Sequence, residues 1–143
     1  MPVRTPSLAA IRRAAGSMTS DGTVRLLFVR DGGRIGLVQT TLETVRDADQ
    51  FLAGYLEGMI TDVAAPGVVV AVCRSDGRAT YADRQLWTLL SARLELTPTT
   101  LLDLVAVGRT RVWSARRGRP LTPPRRRGQR SAARRSASRS SAR

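Results

Sequence analysis

The chain has 143 residues, a length that suits one domain burying roughly two-thirds of its unfolded surface. Its 24 basic residues are all arginine, against 11 acids, no histidine and one cysteine, Cys73. A lone cysteine excludes an intramolecular disulfide and a multi-thiolate metal site, and no apolar run reaches the ~18–20 residues of a membrane span. No membrane partner is therefore expected, and a cytoplasmic location is the expectation.

The charge is unevenly placed. Residues 1–115 hold 13 arginines and all 11 acids, a net +2, whereas residues 116–143 hold 11 arginines and no acid. The basic character belongs to a terminal segment.

Ser7 is a candidate cap for a helix near residues 8–15, with Leu8, Ile11, Ala15 and Met18 on one face. The first 20 residues carry three arginines and no acid, which also fits a transit peptide, but the amphipathic face favours a helix packed on the domain. Residues 16–22 read as a polar linker, so residues 1–22 form an N-terminal helix and linker. Thr23–Val29 predicts a strand, Asp31-Gly-Gly33 a hairpin turn, and Arg34–Gln39 the returning strand, with a further short strand over Thr40–Thr44.

From Val45 the apolar period becomes helical: Val45, Ala48, Leu52, Tyr55, Leu56, Met59 and Ile60 form one stripe. Pro66-Gly67 then opens the β-branched run Val68–Cys73, a central buried strand ending at the turn Ser75-Asp76-Gly77. A helix follows from about Ala82 to Leu94, with Leu86, Trp87, Leu90 and Leu94 inward. Leu101–Val107 is a strand, Gly108-Arg-Thr a turn, and Arg111–Ser114 closes the sheet. The order predicts an α/β (α+β) domain over residues 23–115, a mixed sheet with helices on its faces. Residues 116–143 are rich in Arg, Ser, Ala, Gly and Pro, a composition that cannot offset ordering entropy by burial; a disordered basic tail is expected.

In open α/β folds chemistry gathers at the carboxyl ends of central strands, so Cys73–Asp83 is the candidate site loop. The succession of hairpin with Arg34-Ile-Gly-Leu, helix, apolar strand, helix opened by Ala82-Asp83, and Leu101-Leu-Asp-Leu-Val-Ala-Val-Gly108 resembles the RadC-like branch of the JAB (JAMM/MPN-type) metalloprotease-like domains. The resemblance spans roughly residues 23–114. It implies a zinc site of two histidines and an aspartate, with a zinc-bound water as nucleophile, a glutamate as base and a serine polarising the carbonyl. Relatives of this branch carry the label of DNA repair proteins.

The resemblance puts Val72 and Arg74 at the histidine positions, Thr80 at the serine, Asp83 at the aspartate, Leu104 at a later histidine, and Gln39 near the glutamate. Thr80, Asp83 and Gln39 are thus remnant catalytic positions and Asp83 is the one retained ligand position. A single carboxylate cannot hold catalytic zinc, so no cofactor is expected and catalysis is disfavoured. Arg74 places a fixed positive charge where the cation would sit, and an Arg74–Asp83 ion pair can take the metal's structural place. Thr80-x-x-Asp83 also reads as a capping box. Cys73 reads as a small buried hydrophobe, and Trp87 and Trp113 as core.

Three functions follow: a catalytically silent RadC-like domain that binds a protein partner; a nucleic-acid-associated protein acting through its tail; and a metallopeptidase-type hydrolase with an atypical metal site. The tail's contact residues for DNA or RNA would be Arg116, Arg117, Arg119, Arg125, Arg126, Arg127, Arg130, Arg134, Arg135 and Arg139. Against these stands compositional drift, since arginine without lysine is what a GC-rich coding region yields under weak selection.

Overall fold

The computed structural model describes residues 3–16, 20–47 and 49–123. Its elements run α1 (Leu8–Ala15), β1 (Thr23–Arg30), a 3-10 turn (Asp31–Gly33), β2 (Arg34–Thr44), α2 (Gln50–Val63), β3 (Gly67–Cys73), α3 (Tyr81–Leu94), β4 (Thr100–Val107), β5 (Val112–Ser114) and β6 (Arg119–Pro120). Six strands form one mixed sheet in the order β2-β1-β3-β4-β5-β6, giving the expected α+β class.

Only β3 and β4 pair in parallel; the other four neighbouring pairs are antiparallel. Every residue of β3 is buried, because helices cover both faces of the sheet there. That is why its sequence is a continuous apolar run and does not alternate. Val68, Val70 and Val72 join Leu52, Leu56 and Ile60 of α2 and Leu86 and Leu90 of α3 in one core. Val69 and Ala71 face the other way, into a second core with Ile11 and Ala15 of α1. The N-terminal helix is therefore a structural layer of the domain, and Ser7 caps it by accepting from Ala10 N. Met18, expected on its apolar face, lies outside the described residues.

The β1–β2 turn uses the positive φ that glycine permits, +78° at both Gly32 and Gly33. β2 runs unbroken to Thr44, where two shorter strands were expected; two register irregularities against β1 absorb its length.

Two expectations about boundaries are corrected. The helix expected from Val45 begins at Gln50, because Asp49 caps it by accepting from Leu52 N at 2.8 Å. Val45 is instead held outside the helix, its N–H donating to Gly22 O at 2.8 Å, while its side chain still enters the first core. Ala48 lies outside the described residues. At the other end the fold continues past Ala115: Arg119–Pro120 pairs with β5, and half-buried Leu121 packs against the second core. Its N–H donates to Val112 O at 2.7 Å. Disorder therefore does not begin at Arg116, and residues 124–143 lie outside the described residues.

Candidate functional site

β3 ends at the site because Gly67–Cys73 is exhausted there, and the next residue still follows the strand's path. Arg74 N donates to Val107 O at 3.0 Å, so the backbone remains tied to β4 while the side chain turns toward α3. The chain then reverses, Gly77 N donating to Arg74 O at 2.9 Å, and α3 starts at Tyr81.

Thr80 is the cap of α3. Its hydroxyl accepts from Asp83 N at 3.2 Å, and Asp83 Oδ2 accepts from Thr80 N at 2.9 Å, the reciprocal pair of a capping box. Asp83 is fully buried, so this carboxylate needs more than a cap. Arg74 supplies it: Nε donates to Oδ2 at 2.9 Å and Nη2 to Oδ1 at 2.6 Å. The guanidinium also donates from Nη2 to Val45 O at 3.1 Å and from Nη1 to Asp21 Oδ2 at 3.2 Å. One side chain thus ties together the end of β3, the start of α3, the segment before β1 and the segment before α2. Donating to Asp83 raises the Arg74 pKa above its already high value, outweighing the burial that lowers it.

The Arg74–Asp83 pair expected from the sequence is therefore present, with bidentate geometry. Gln39 is not brought to it. It pairs with Leu26, which pairs with Val70, so Gln39 lies two strands away and at a level well before Arg74. Thr80 and Asp83 are together; Gln39 is separate from them. Leu104, at the later histidine position, is fully buried core.

The donor set does not fit the zinc that the resemblance implies. The chain has no histidine, and the hydrogen bonds from Arg74 and Thr80 engage both Asp83 oxygens. A cation there would have to displace a guanidinium. Among the described residues, no group of three histidine, cysteine or carboxylate side chains is placed to hold a metal ion. Cys73 is buried at the end of β3, and burial foremost, with Asp21 nearby, raises its thiol pKa against the opposing effect of Arg74. A thiol held in its neutral form is a poor nucleophile and ligand.

A second polar knot, where β4 meets the β5–β6 turn, was not read from the sequence. Buried Asp103 accepts from Ser114 Oγ at 2.6 Å and from Arg116 N at 3.1 Å, and Arg117 N donates to Ser114 Oγ at 3.0 Å. Burial raises the Asp103 pKa, and the bonds from Ser114 and the backbone only partly offset it. Asp103 stands in the Leu101–Gly108 stretch that carries the resemblance, but nothing in the sequence marked it as buried. Asp21 was equally hidden, 53 residues from Arg74 in what reads as a linker.

Of the candidate nucleic-acid contacts, Arg116, Arg117 and Arg119 are exposed on the turn into β6 and on β6 itself. Arg125, Arg126, Arg127, Arg130, Arg134, Arg135 and Arg139 lie outside the described residues. Among the described residues no helix is long and apolar enough to cross a membrane. No family model matches the chain, and no curated protein matches it.

Proposed function

We propose that the chain is a RadC-like JAB-type domain that has exchanged metal-dependent hydrolysis for binding, and that its arginine-rich C-terminal segment engages nucleic acid. The observation that carries the first part is the bidentate pairing of Arg74 with buried Asp83. On the resemblance, these are one histidine position and the aspartate position of the metal centre, and here they form a closed ion pair. A guanidinium keeps its charge at every accessible pH and cannot act as a metal ligand. The domain then serves as a scaffold that presents a binding surface.

The second part is supported by the charge distribution, with 11 arginines and no acid after Ala115. Polycationic segments neutralise phosphates and release counterions, so affinity falls with salt at a log–log slope of about −0.9 per phosphate contacted on duplex. With roughly six to eight arginines engaged at once, a slope near −5 to −7 follows.

Two measurements on the full chain test the reading. Zinc titration by calorimetry is expected to give at best millimolar affinity (about −4 kcal/mol), with no change in melting on adding chelator. Stoichiometric, tightly held zinc that disappears on Asp83→Ala would restore a metallopeptidase-type hydrolase. Duplex binding followed by anisotropy across a salt series is expected to show the steep slope; a slope near zero would remove nucleic acid as the partner.

A further inference from the structure

The carboxyl ends of the two parallel strands open on a cleft of about 570 Å³, on the face of the sheet opposite Asp83. Arg12 and Ala15 of α1 form one wall, Cys73 and Arg74 the floor, and Gly108 and Arg109 the other wall. No acid lines it.

The cleft is a constructed feature of the fold. Arg12 Nη2 donates to Thr110 O at 2.6 Å, fixing the end of α1 against the β4–β5 turn. That turn is tight, with Gly108 N donating to Arg111 O at 2.8 Å. It also sits directly on the turn after β3: a Cβ on Gly108 would lie 2.5 Å from Gly77 Cα, so only glycine permits the approach. Arg109 lines the cleft beside Gly108, and Arg111 and Arg78 are exposed on the two turns that meet there. Among the described residues, the side chains of Arg78, Arg109 and Arg111 have no hydrogen-bond or ion-pair partner. The two acids at this end are engaged locally: Asp21 with Arg74 and Ser75 N, Asp76 with Arg78 N. The carbonyl end of α1 opposes an anion, and Arg12 and Arg13 in its last turn offset it.

The chain's exit lies at the same end. β6 runs antiparallel to β5 and so returns in the direction of β4. Leu121 N bonds Val112 O, and Val112 pairs with Val107, so Leu121–Pro123 stand level with the mouth of the cleft. Leu121 packs on the same face as α1, about two strand spacings (~10 Å) from β4. The residues after Pro123 carry eight further arginines and no acid.

We propose that this arginine-flanked cleft is a phosphate-binding site for a nucleic-acid backbone. The inference rests on the nucleic-acid reading of the segment made above. A row of guanidiniums on irregular turns reads phosphates and not base edges, so binding through the cleft is independent of sequence. Arg109 and Arg111 each contribute one phosphate contact, and the domain is an active part of the interface.

The test uses the full chain, a labelled duplex and a salt series. Arg109→Gln/Arg111→Gln is expected to flatten the log–log slope by about 2, from ~0.9 per lost contact. Arg109→Gln alone, the milder variant should the double one melt early, is expected to flatten it by ~0.9. Neutralising Arg125, Arg126, Arg127, Arg130, Arg134 and Arg135 to serine should flatten it by about 5 and leave a residual binding that the cleft substitutions then abolish. Unchanged slope and affinity in both cleft variants overturns the cleft while leaving the segment's role intact. Loss in the cleft variants with none in the serine variant keeps the cleft and removes the segment. No binding by the native chain removes both. Stronger retention on phosphatidylserine vesicles than on duplex at equal salt, weakened by the same substitutions, replaces nucleic acid by a membrane surface and overturns the proposal.

Discussion

Asp83 and Asp103 are buried carboxylates, one at the turn from β3 into α3 and one where β4 meets the β5–β6 turn, yet the fold accommodates them in different ways. Asp83, at the β3–α3 junction, faces a guanidinium that meets both its oxygens. Asp103, where β4 meets the β5–β6 turn, is met by a serine hydroxyl and a backbone amide, with the Arg116 charge a lesser influence. Burial raises the Asp103 pKa despite those bonds. Neutral donors satisfy a carboxylate's lone pairs without cancelling its charge. The β3–α3 junction is thus closed by an ion pair, whereas the junction of β4 with the β5–β6 turn holds a buried carboxyl on neutral donors.

The sharpest way to break this contrast is to remove the cation. Arg74→Ala leaves Asp83 buried without its partner and is expected to cost about 3–5 kcal/mol in urea unfolding. Asp83→Asn is expected to cost less than Arg74→Ala, since the Arg74 guanidinium keeps Asp21 and Val45 O as partners. The double variant should fall well short of the summed single losses, with a coupling of about 0.5–3 kcal/mol. Additive losses would mean that the two residues act separately, contrary to the bidentate geometry.

The second junction is distinguished by its response to pH. The folded state holds a proton on Asp103 more tightly than the unfolded chain does, so the folded state binds more protons between the two pKa values. Stability from this group is full below about pH 3.9, the ordinary aspartate value, and is lost as pH rises through the raised folded pKa. Asp103→Asn should remove that component, seen as a flatter stability profile than the native chain's over the same range. Ser114→Ala should cost about 1–3 kcal/mol, because the buried Asp103 carboxyl loses its hydroxyl donor. It should also carry the pH-dependent window further upward, because the Ser114 bond is the largest of the influences that lower the Asp103 pKa. Parallel profiles for the native chain and Asp103→Asn would sink this account.

The smallest expected effect lies outside both junctions and calibrates them. Ala64 closes α2 in the left-handed region at φ 54°, its N–H bonded to Thr61 O. Ala64→Gly relieves that strain and should raise stability by about 1 kcal/mol, with no change in the pH profile. A loss of stability would show that the unfolded-state entropy of glycine outweighs the relieved strain.

The sequence by itself determined the elements whose signals are local. α1 follows from Ser7 and its apolar face, the first hairpin from Gly32 and Gly33, β3 from its unbroken β-branched run, and α3 from the Thr80–Asp83 box. The Arg74–Asp83 pair was legible too, because nine residues of turn and helix start bring the ends of a short loop together. Tertiary structure decided everything that depends on partners distant in sequence. Nothing near Val45 shows that Gly22 would hold its amide and delay α2 to Gln50. Nothing in the linker marks Asp21 as a ligand of Arg74. The burial of Asp103, the pairing of Arg119–Pro120 and the cleft between Arg12 and Arg109 share one cause. Each is created by a strand or helix arriving from elsewhere in the chain, and only the packed sheet sets which polar groups end up without water.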